Sequence, residues 1–340
     1  MKLIMKNHTK KTYSIYFYLI YFFILSSQIN AQNSNWAVYD TSNSGLPDNT
    51  VFTVGIDKNQ NIWAGTWKGG IAFFDRNEWK VYNKKNSKLP IDYVYSILIV
   101  DDTKWFGTFG GGVLKLEDDN WQLFNTNNSG LPGNTIYSIA AEENGKIWFG
   151  TWEGGTAGFD GKNWEVYSYR KSKLPGAKVP SLIVDKDNWK WFGTTGGLCK
   201  FRDSVWVNDE EMNFESSTLS VYSLEVSAKN SIWVGLKFGG LANYNGKEWR
   251  YYTSKNSGLP SDKVYGIAVE NENKIWIATN SQGLAKFEDG IWTVYNSKNS
   301  GLPHDYLYSV TIDKFNNKWI GTLLGGLAVF NETGLVEINK

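Results

Sequence analysis

The sequence predicts an all-β chain: a single seven-bladed β-propeller with four antiparallel strands per blade, preceded by a signal peptide. Two observations carry the prediction: tryptophan recurs in two phased series, and within each repeat apolar residues alternate with period two between turn-forming residues.

The amino terminus comes first. Lys2, Lys6, Lys10 and Lys11 precede an apolar run from Ile15 to Leu25, and Ser26, Ser27 and Gln28 lead on to the small residue Ala31. This is the order of a secretory signal peptide, so residues 1–31 are read as a leader cleaved after Ala31 and residues 32–340 as the propeller. A helix over that run spans roughly 16 Å, about half the hydrocarbon thickness, which disfavours a permanent membrane span.

The repeat follows. One tryptophan series runs Trp63, Trp105, Trp148, Trp191, Trp233, Trp276 and Trp319, each followed two residues later by Gly or Ala. A second runs Trp36, Trp79, Trp121, Trp164, Trp206, Trp249 and Trp292, and in both the interval is 42 or 43 residues. In the first unit, alternation predicts strands over 51–56, 62–66, 71–74 and 79–82. Lys58-Asn59-Gln60-Asn61, Lys68-Gly69-Gly70 and Asp75-Arg76-Asn77 supply the turns between them. Such a meander exposes two apolar faces and an edge, so it is stable only stacked against copies of itself around an axis.

The first strand of each unit suits the axis. One face carries the small residues Thr53, Ser96, Ser138, Ser181, Ser223, Gly266 and Ser309; the other carries Phe52, Tyr95, Tyr137, Pro180, Tyr222, Tyr265 and Tyr308. Proline at 180 requires a strand with one unpaired edge, which an innermost strand has. A Ser-Gly/Lys-Leu-Pro turn, such as Ser44-Gly45-Leu46-Pro47, precedes every first strand but the fifth, where Phe214-Glu215-Ser216-Ser217 follows the acidic run Asp209-Glu210-Glu211. Its leucine is expected to plug the space between blades while proline stiffens the crossing. For closure, either Trp36–Tyr39 completes the last blade or Leu335–Ile338 does; the intact Trp36 favours the former.

Composition excludes several functions. The chain has 35 Lys plus Arg and 34 Asp plus Glu, and the body after residue 31 stands at −3, which argues against nucleic-acid or anionic-membrane partners recruited by bulk charge. Cys199 is the lone cysteine, so neither an intrachain disulfide nor a multi-cysteine metal site is available. After residue 31 the one histidine is His304, in a different sector of the predicted ring from Cys199. Phosphate-binding glycine fingerprints and strained nucleophile turns are missing from the sequence. No catalytic residue, metal or cofactor is therefore assigned.

Candidate ligand-binding positions lie on the loops after the second strand and before the first. After the second strand stand Trp67, Phe109 and Trp152 in the first three blades, flanked by Lys68 and Glu153, with Phe238 alone in the fifth. Flat aromatic surfaces beside a few polar groups suit sugar faces or a partner protein's side chains, although the same rings could pack on neighbouring loops. Two residues beyond the turn proline stand Asn49, Asp92, Asn134, Asp262 and Asp305, a collar broken by Ala177 and Leu219. It suits hydroxyls or a cation, but such side chains also satisfy turn amides without any ligand, and that is the favoured reading. Glu225 replaces Gly55, Leu98, Ala140, Ile183, Ala268 and Thr311 at one inner-strand position, where a carboxylate is expected to be perturbed or paired.

The recurring string Asn-Ser-Gly-Leu-Pro, Val-Tyr-Ser-Ile, Ile-Trp-Phe-Gly-Thr, Gly-Gly-Leu-Ala and Trp, as over Asn128–Trp164, resembles the two-component regulator propeller repeat. The likeness covers 36 to about 334. It implies a propeller of the kind that forms periplasmic sensor regions of hybrid two-component systems, common in Bacteroidetes and often responsive to polysaccharide fragments. Those sensors usually add a second propeller, an immunoglobulin-like domain, a membrane helix, a kinase and a response regulator, and 32–340 accommodates the single propeller. The sequence reading is thus a periplasmic or extracellular, non-catalytic binding propeller for an oligosaccharide or a protein; the alternatives are a lyase on the same scaffold and a passive structural or adhesion module.

Overall fold

The computed structural model describes residues 35–215 and 220–338. The leader, its cleavage position and Leu219 lie outside them. The described chain forms seven four-stranded antiparallel sheets, each in meander order. In blade one the strands are Val51–Ile56, Ile62–Thr66, Ile71–Phe74 and Trp79–Tyr82, as alternation predicts. Blades two to seven begin at Val94, Ile136, Ser181, Val221, Val264 and Leu307.

Packing shows why seven copies are needed. Each of seven apolar clusters is shared by two consecutive blades, with a tryptophan of the first series from one blade buried against the inner strands of the next. Trp63 and Ile71 of blade one meet Val94, Phe106 and Leu114 of blade two, and so on to Trp319, Leu327 and Val329 of blade seven, which meet Val51, Val54 and Ile62 of blade one. Because a blade buries its faces only against neighbours, the hydrophobic stabilisation belongs to the interfaces. The turn leucines Leu46, Leu89, Leu131, Leu174, Leu259 and Leu302 are all buried; in blade five Phe214 takes that place, packed on Trp249 at 4.6 Å between ring centroids.

Backbone bonds stitch the same seams. The second glycine of the Gly-Gly turn has a left-handed backbone and donates its N–H to the loop entering the next blade: Gly70 to Asp92 O (3.0 Å), Gly112 to Asn134 O (2.7 Å) and Gly240 to Asp262 O (3.0 Å). Gly326 closes the circle on Asn49 O at 2.8 Å.

Closure uses the amino-terminal strand. Trp36–Tyr39 pairs antiparallel with Leu327–Phe330 and completes blade seven, and Trp36 stacks on Phe330 at 4.4 Å. Residues 335–338 form no strand; Leu335 and Ile338 instead pack on the core shared by blades seven and one. Arg76 of blade one ties this seam, donating to the buried Asp313 of blade seven (2.9 Å) and to Glu337 O (3.1 Å).

A tryptophan–acid pair recurs on the face opposite the Gly-Gly turns. In five blades the indole N–H donates to an acid six residues earlier: Trp63 to Asp57 (3.1 Å), Trp148 to Glu142 (2.6 Å), Trp191 to Asp185 (2.7 Å), Trp276 to Glu270 (2.8 Å) and Trp319 to Asp313 (3.0 Å). The buried indole is thereby satisfied, and the spacing of six was open to reading in the sequence.

Candidate binding site at the channel mouth

Alternation alone places Phe52 opposite Val51 and Thr53. A β-bulge changes that. Val51 pairs with Thr66 and Thr53 with Gly65, leaving Phe52 as the extra residue. The same step skips Tyr95, Tyr137, Tyr222, Tyr265 and Tyr308 in their blades. Bulges re-aim side chains, and here six rings turn to the axis at one end of the channel. Phe52 lies 4.2 Å from Tyr95 and 4.6 Å from Tyr308 between centroids; Tyr95 lies 4.8 Å from Tyr137, and Tyr222 lies 5.3 Å from Tyr265. Pro180, standing just ahead of the blade-four strand, interrupts the circle. The rings surround a cavity of about 470 Å³. Burial pushes the phenols of Tyr95, Tyr137 and Tyr308 upward, so they remain neutral hydroxyls able to donate or accept.

Sequence reasoning missed this ring. The recurrent tyrosine beside Pro180 was the available signal, but period-two alternation assigns it only to a face and gives no hint of the bulge.

The three loop aromatics join the ring. Trp67 packs edge-on to Phe52 (5.5 Å) and Tyr93 (4.8 Å), Phe109 lies 5.7 Å from Tyr95, and Trp152 stacks on Tyr137 at 4.7 Å. Their backbone positions are fixed: Trp67 N donates to Thr50 O, Phe109 N to Tyr93 O and Trp152 N to Thr135 O, all at 3.0–3.1 Å. The preceding threonine braces each turn, as Thr66 Oγ1 does by donating to Gly70 O and accepting from Gly69 N. Blades one to three thus present a continuous aromatic wall. Lys68 and Glu153 are exposed beside it.

Phe238 stands apart from the wall, 58% exposed, between Lys237 (5.4 Å to its ring) and Lys263 (5.3 Å). Lys237 also lies 5.4 Å from Tyr222, and Lys178 sits 3.9 Å over Trp152.

The polar collar is engaged elsewhere. Asn49 Oδ1 accepts from Thr41 N (2.8 Å), Asp92 from Lys84 N (2.7 Å) and Asn134 from Thr126 N (2.8 Å). Asp262 and Asp305 each accept from the N–H and hydroxyl of a serine eight residues earlier. These side chains organise the incoming loops, the turn-amide role.

Glu225 lies on the inner strand of blade five, next after Leu224, which lines the channel. Its carboxyl accepts one bond, from Val226 N at 3.2 Å, and no ion pair is found for it among the described residues. Protein atoms strip most of its hydration while leaving it some accessible surface. Burial pushes its pKa up to about 7. His304 Nδ1 accepts from Tyr306 N (3.0 Å) at the turn entering blade seven; Cys199 is buried in the blade-four core, where burial pushes its thiol up. The two share no site. No group of three or more His, Cys, Asp or Glu fit to hold a metal is found among the described residues, nor any helix long and apolar enough to cross a membrane.

Fold and mouth together define a closed seven-bladed propeller with a concave aromatic site at one end of its channel. Two stretches of its repeat, residues 45–68 and 130–153, match the family described as "two component regulator propeller", each running from the Gly-Leu-Pro turn through the loop bearing Trp67 or Trp152. No curated protein matches the chain in sequence. Among solved structures, the extracellular domain assigned to the hybrid two-component system BT3049 of B. thetaiotaomicron is similar, with a TM-score of 0.73 at 19% identity. The likeness covers 88% of this chain and 42% of that one, so the chain spans about two fifths of its length. PorZ of Porphyromonas gingivalis, a surface component of the type-IX secretion system, is similar with a TM-score of 0.65 at 18% identity, over 86% of this chain and 48% of that one. Virginiamycin B lyase of Staphylococcus aureus has a TM-score of 0.70 at 12% identity, over 88% of this chain and 99% of that one. At these identities the likenesses establish the fold.

Proposed function

We propose that the protein is a non-catalytic sensor or binding propeller of the periplasm or cell exterior, whose channel mouth captures a glycan. The observation that carries the reading is the aromatic wall of Trp67, Phe109 and Trp152 joined to the bulge-directed ring. Aromatic platforms pack on the apolar faces of sugar rings, and neutral phenols at the rim meet their hydroxyls. The cavity of about 470 Å³ falls within the small-ligand range of roughly 300–1,000 Å³. The leader-like sequence of residues 1–31 and the extracellular setting of the BT3049 domain support the compartment. A lyase would need an acid–base pair at the mouth, whereas no hydrogen bond or ion pair joins His304 to an acid among the described residues and Glu225 lies deeper with no partner side chain. The experiment is calorimetric titration of an oligosaccharide panel into the protein and its Trp67→Ala/Trp152→Ala variant. Binding that falls at least tenfold in the variant is expected; binding unchanged by loss of both rings rejects the site.

A further inference from the structure

The mouth is divided by chemistry. Its blade one-to-three sector is aromatic, while Lys178, Lys237 and Lys263 crowd the sector spanning blades four to six, with Lys68 at the opposite rim. Lys178, Lys237 and Lys263 are half-buried, and none of the four lysines forms an ion pair among the described residues. Aromatic faces hold three of the ammonium groups: Trp152 beneath Lys178, Tyr222 and Phe238 beside Lys237, and Phe238 beside Lys263. Of the acids at the mouth, Asp262, adjacent to Lys263 in sequence, has its carboxylate committed to the N–H and hydroxyl of Ser254, and Glu153 is exposed on the turn that carries Trp152. Partly desolvated cations without counter-ions are costly, and the quadrupole of a ring offsets only part of that cost.

We propose that the ligand of this mouth is an acidic oligosaccharide, its ring faces stacked on the Trp67–Trp152 wall and its carboxylate or sulfate received by Lys178, Lys237 and Lys263. This rests on the reading of the mouth as a glycan site and adds the sign of the charge. A concave, walled cavity ringed by hydroxyls favours a saccharide over an acidic peptide, which would need a groove.

The test measures binding of trigalacturonate against its methyl ester, of a sulfated carrageenan tetrasaccharide against its desulfated form, and of hexaglutamate, at low and high salt. Each is titrated into the intact propeller, the Lys178→Met/Lys237→Met/Lys263→Met variant and the Trp67→Ala/Trp152→Ala variant. At least one acidic sugar is expected to bind tenfold or more tighter than its neutral partner, to lose that preference in the lysine variant, and to weaken with salt. The uronate and sulfate arms identify which anion is preferred. Neutral and acidic sugars bound alike, but weakened by loss of the tryptophans, overturn the charge assignment and leave the glycan mouth standing. Hexaglutamate bound as tightly as the best sugar overturns the saccharide assignment, and an acid preference that survives the lysine variant overturns the role of these three residues.

Discussion

At the scale of single residues, Glu225 is the side chain most out of keeping with its surroundings. Six equivalent positions hold apolar, glycine or threonine residues, and the carboxyl there finds one backbone N–H. Burial lifts its pKa from 4.5 to about 7, so between those values the folded protein holds a proton that the unfolded chain has released. Stability must therefore fall as pH rises through that window, by up to about 3 kcal/mol from a shift of this size, and less where channel water screens the charge. Glu225→Gln keeps the shape and removes the titration. Thermal melts from pH 4 to pH 8 should show the variant matching the parent at low pH and exceeding it above neutrality. Parallel curves across the whole range would mean that Glu225 ionises as it does in water.

At the scale of the element, the turn between second and third strands combines a strained glycine with a tight seam. Gly240 has φ +76°, and a Cβ there would lie 2.2 Å from Tyr252 O; Gly246 has φ +93°, and a Cβ there would meet nothing within 4 Å. Both would suffer the left-handed penalty of roughly 1–2 kcal/mol on substitution by alanine, but Gly240→Ala must also displace backbone and endanger the bond to Asp262 O. Urea midpoints should fall at least twice as far for Gly240→Ala as for Gly246→Ala. Equal shifts would mean that the seam yields without cost. These turns also show what could be read before any coordinates. Strands over 51–56, 62–66, 71–74 and 79–82 are legible because apolar and β-branched residues run between turn residues, although packing on both sides buries Ile62–Thr66 at every position, and the Gly-Gly pairs mark the turns after the second strands. The aromatic mouth was legible in part. Trp67, Phe109 and Trp152 announce themselves by departing from the repeat, whereas Phe52 and the ring tyrosines obey it, and only the register step of the bulge shows them turned to the axis. The Asx collar misleads in the opposite direction: its spacing around the ring suggests a ligand, but the carboxamides and carboxylates point back into their own loops.

At the scale of the molecule, stability depends on the circle being shut. Blade seven draws its outer strand from Trp36–Tyr39, almost three hundred residues away in sequence, and that strand carries more than its four ladder pairs. Trp36 stacks on Phe330, and Tyr39 reaches across the seam to Phe74 (5.3 Å) and Trp79 (5.4 Å) of blade one. Arg76–Asp313 crosses the same seam, with the guanidinium 5.1 Å from Phe315. Removing residues 32–39 would uncover the edge of Leu327–Phe330, strip the aromatic cover from Phe330 and Phe74, and leave the seam to its inner apolar contacts, the arginine pair and the chain beyond Phe330. A chain beginning at Asp40 should therefore melt at least 10 °C lower and associate through the uncovered edge, visible by size-exclusion chromatography with light scattering. A chain ending at Asn331 is the matched control. It loses the Leu335 and Ile338 contacts, the pairs of Glu332 with Lys274 and Lys286, the bond from Asn35 to Glu332 O and the bond from Arg76 to Glu337 O, but keeps every strand, so it should lose less stability and stay monomeric. If the chain beginning at Asp40 remained monomeric and as heat-stable as its parent, the amino-terminal strand would not be the element that shuts the ring, and the apolar seam between blades seven and one would have to do so alone.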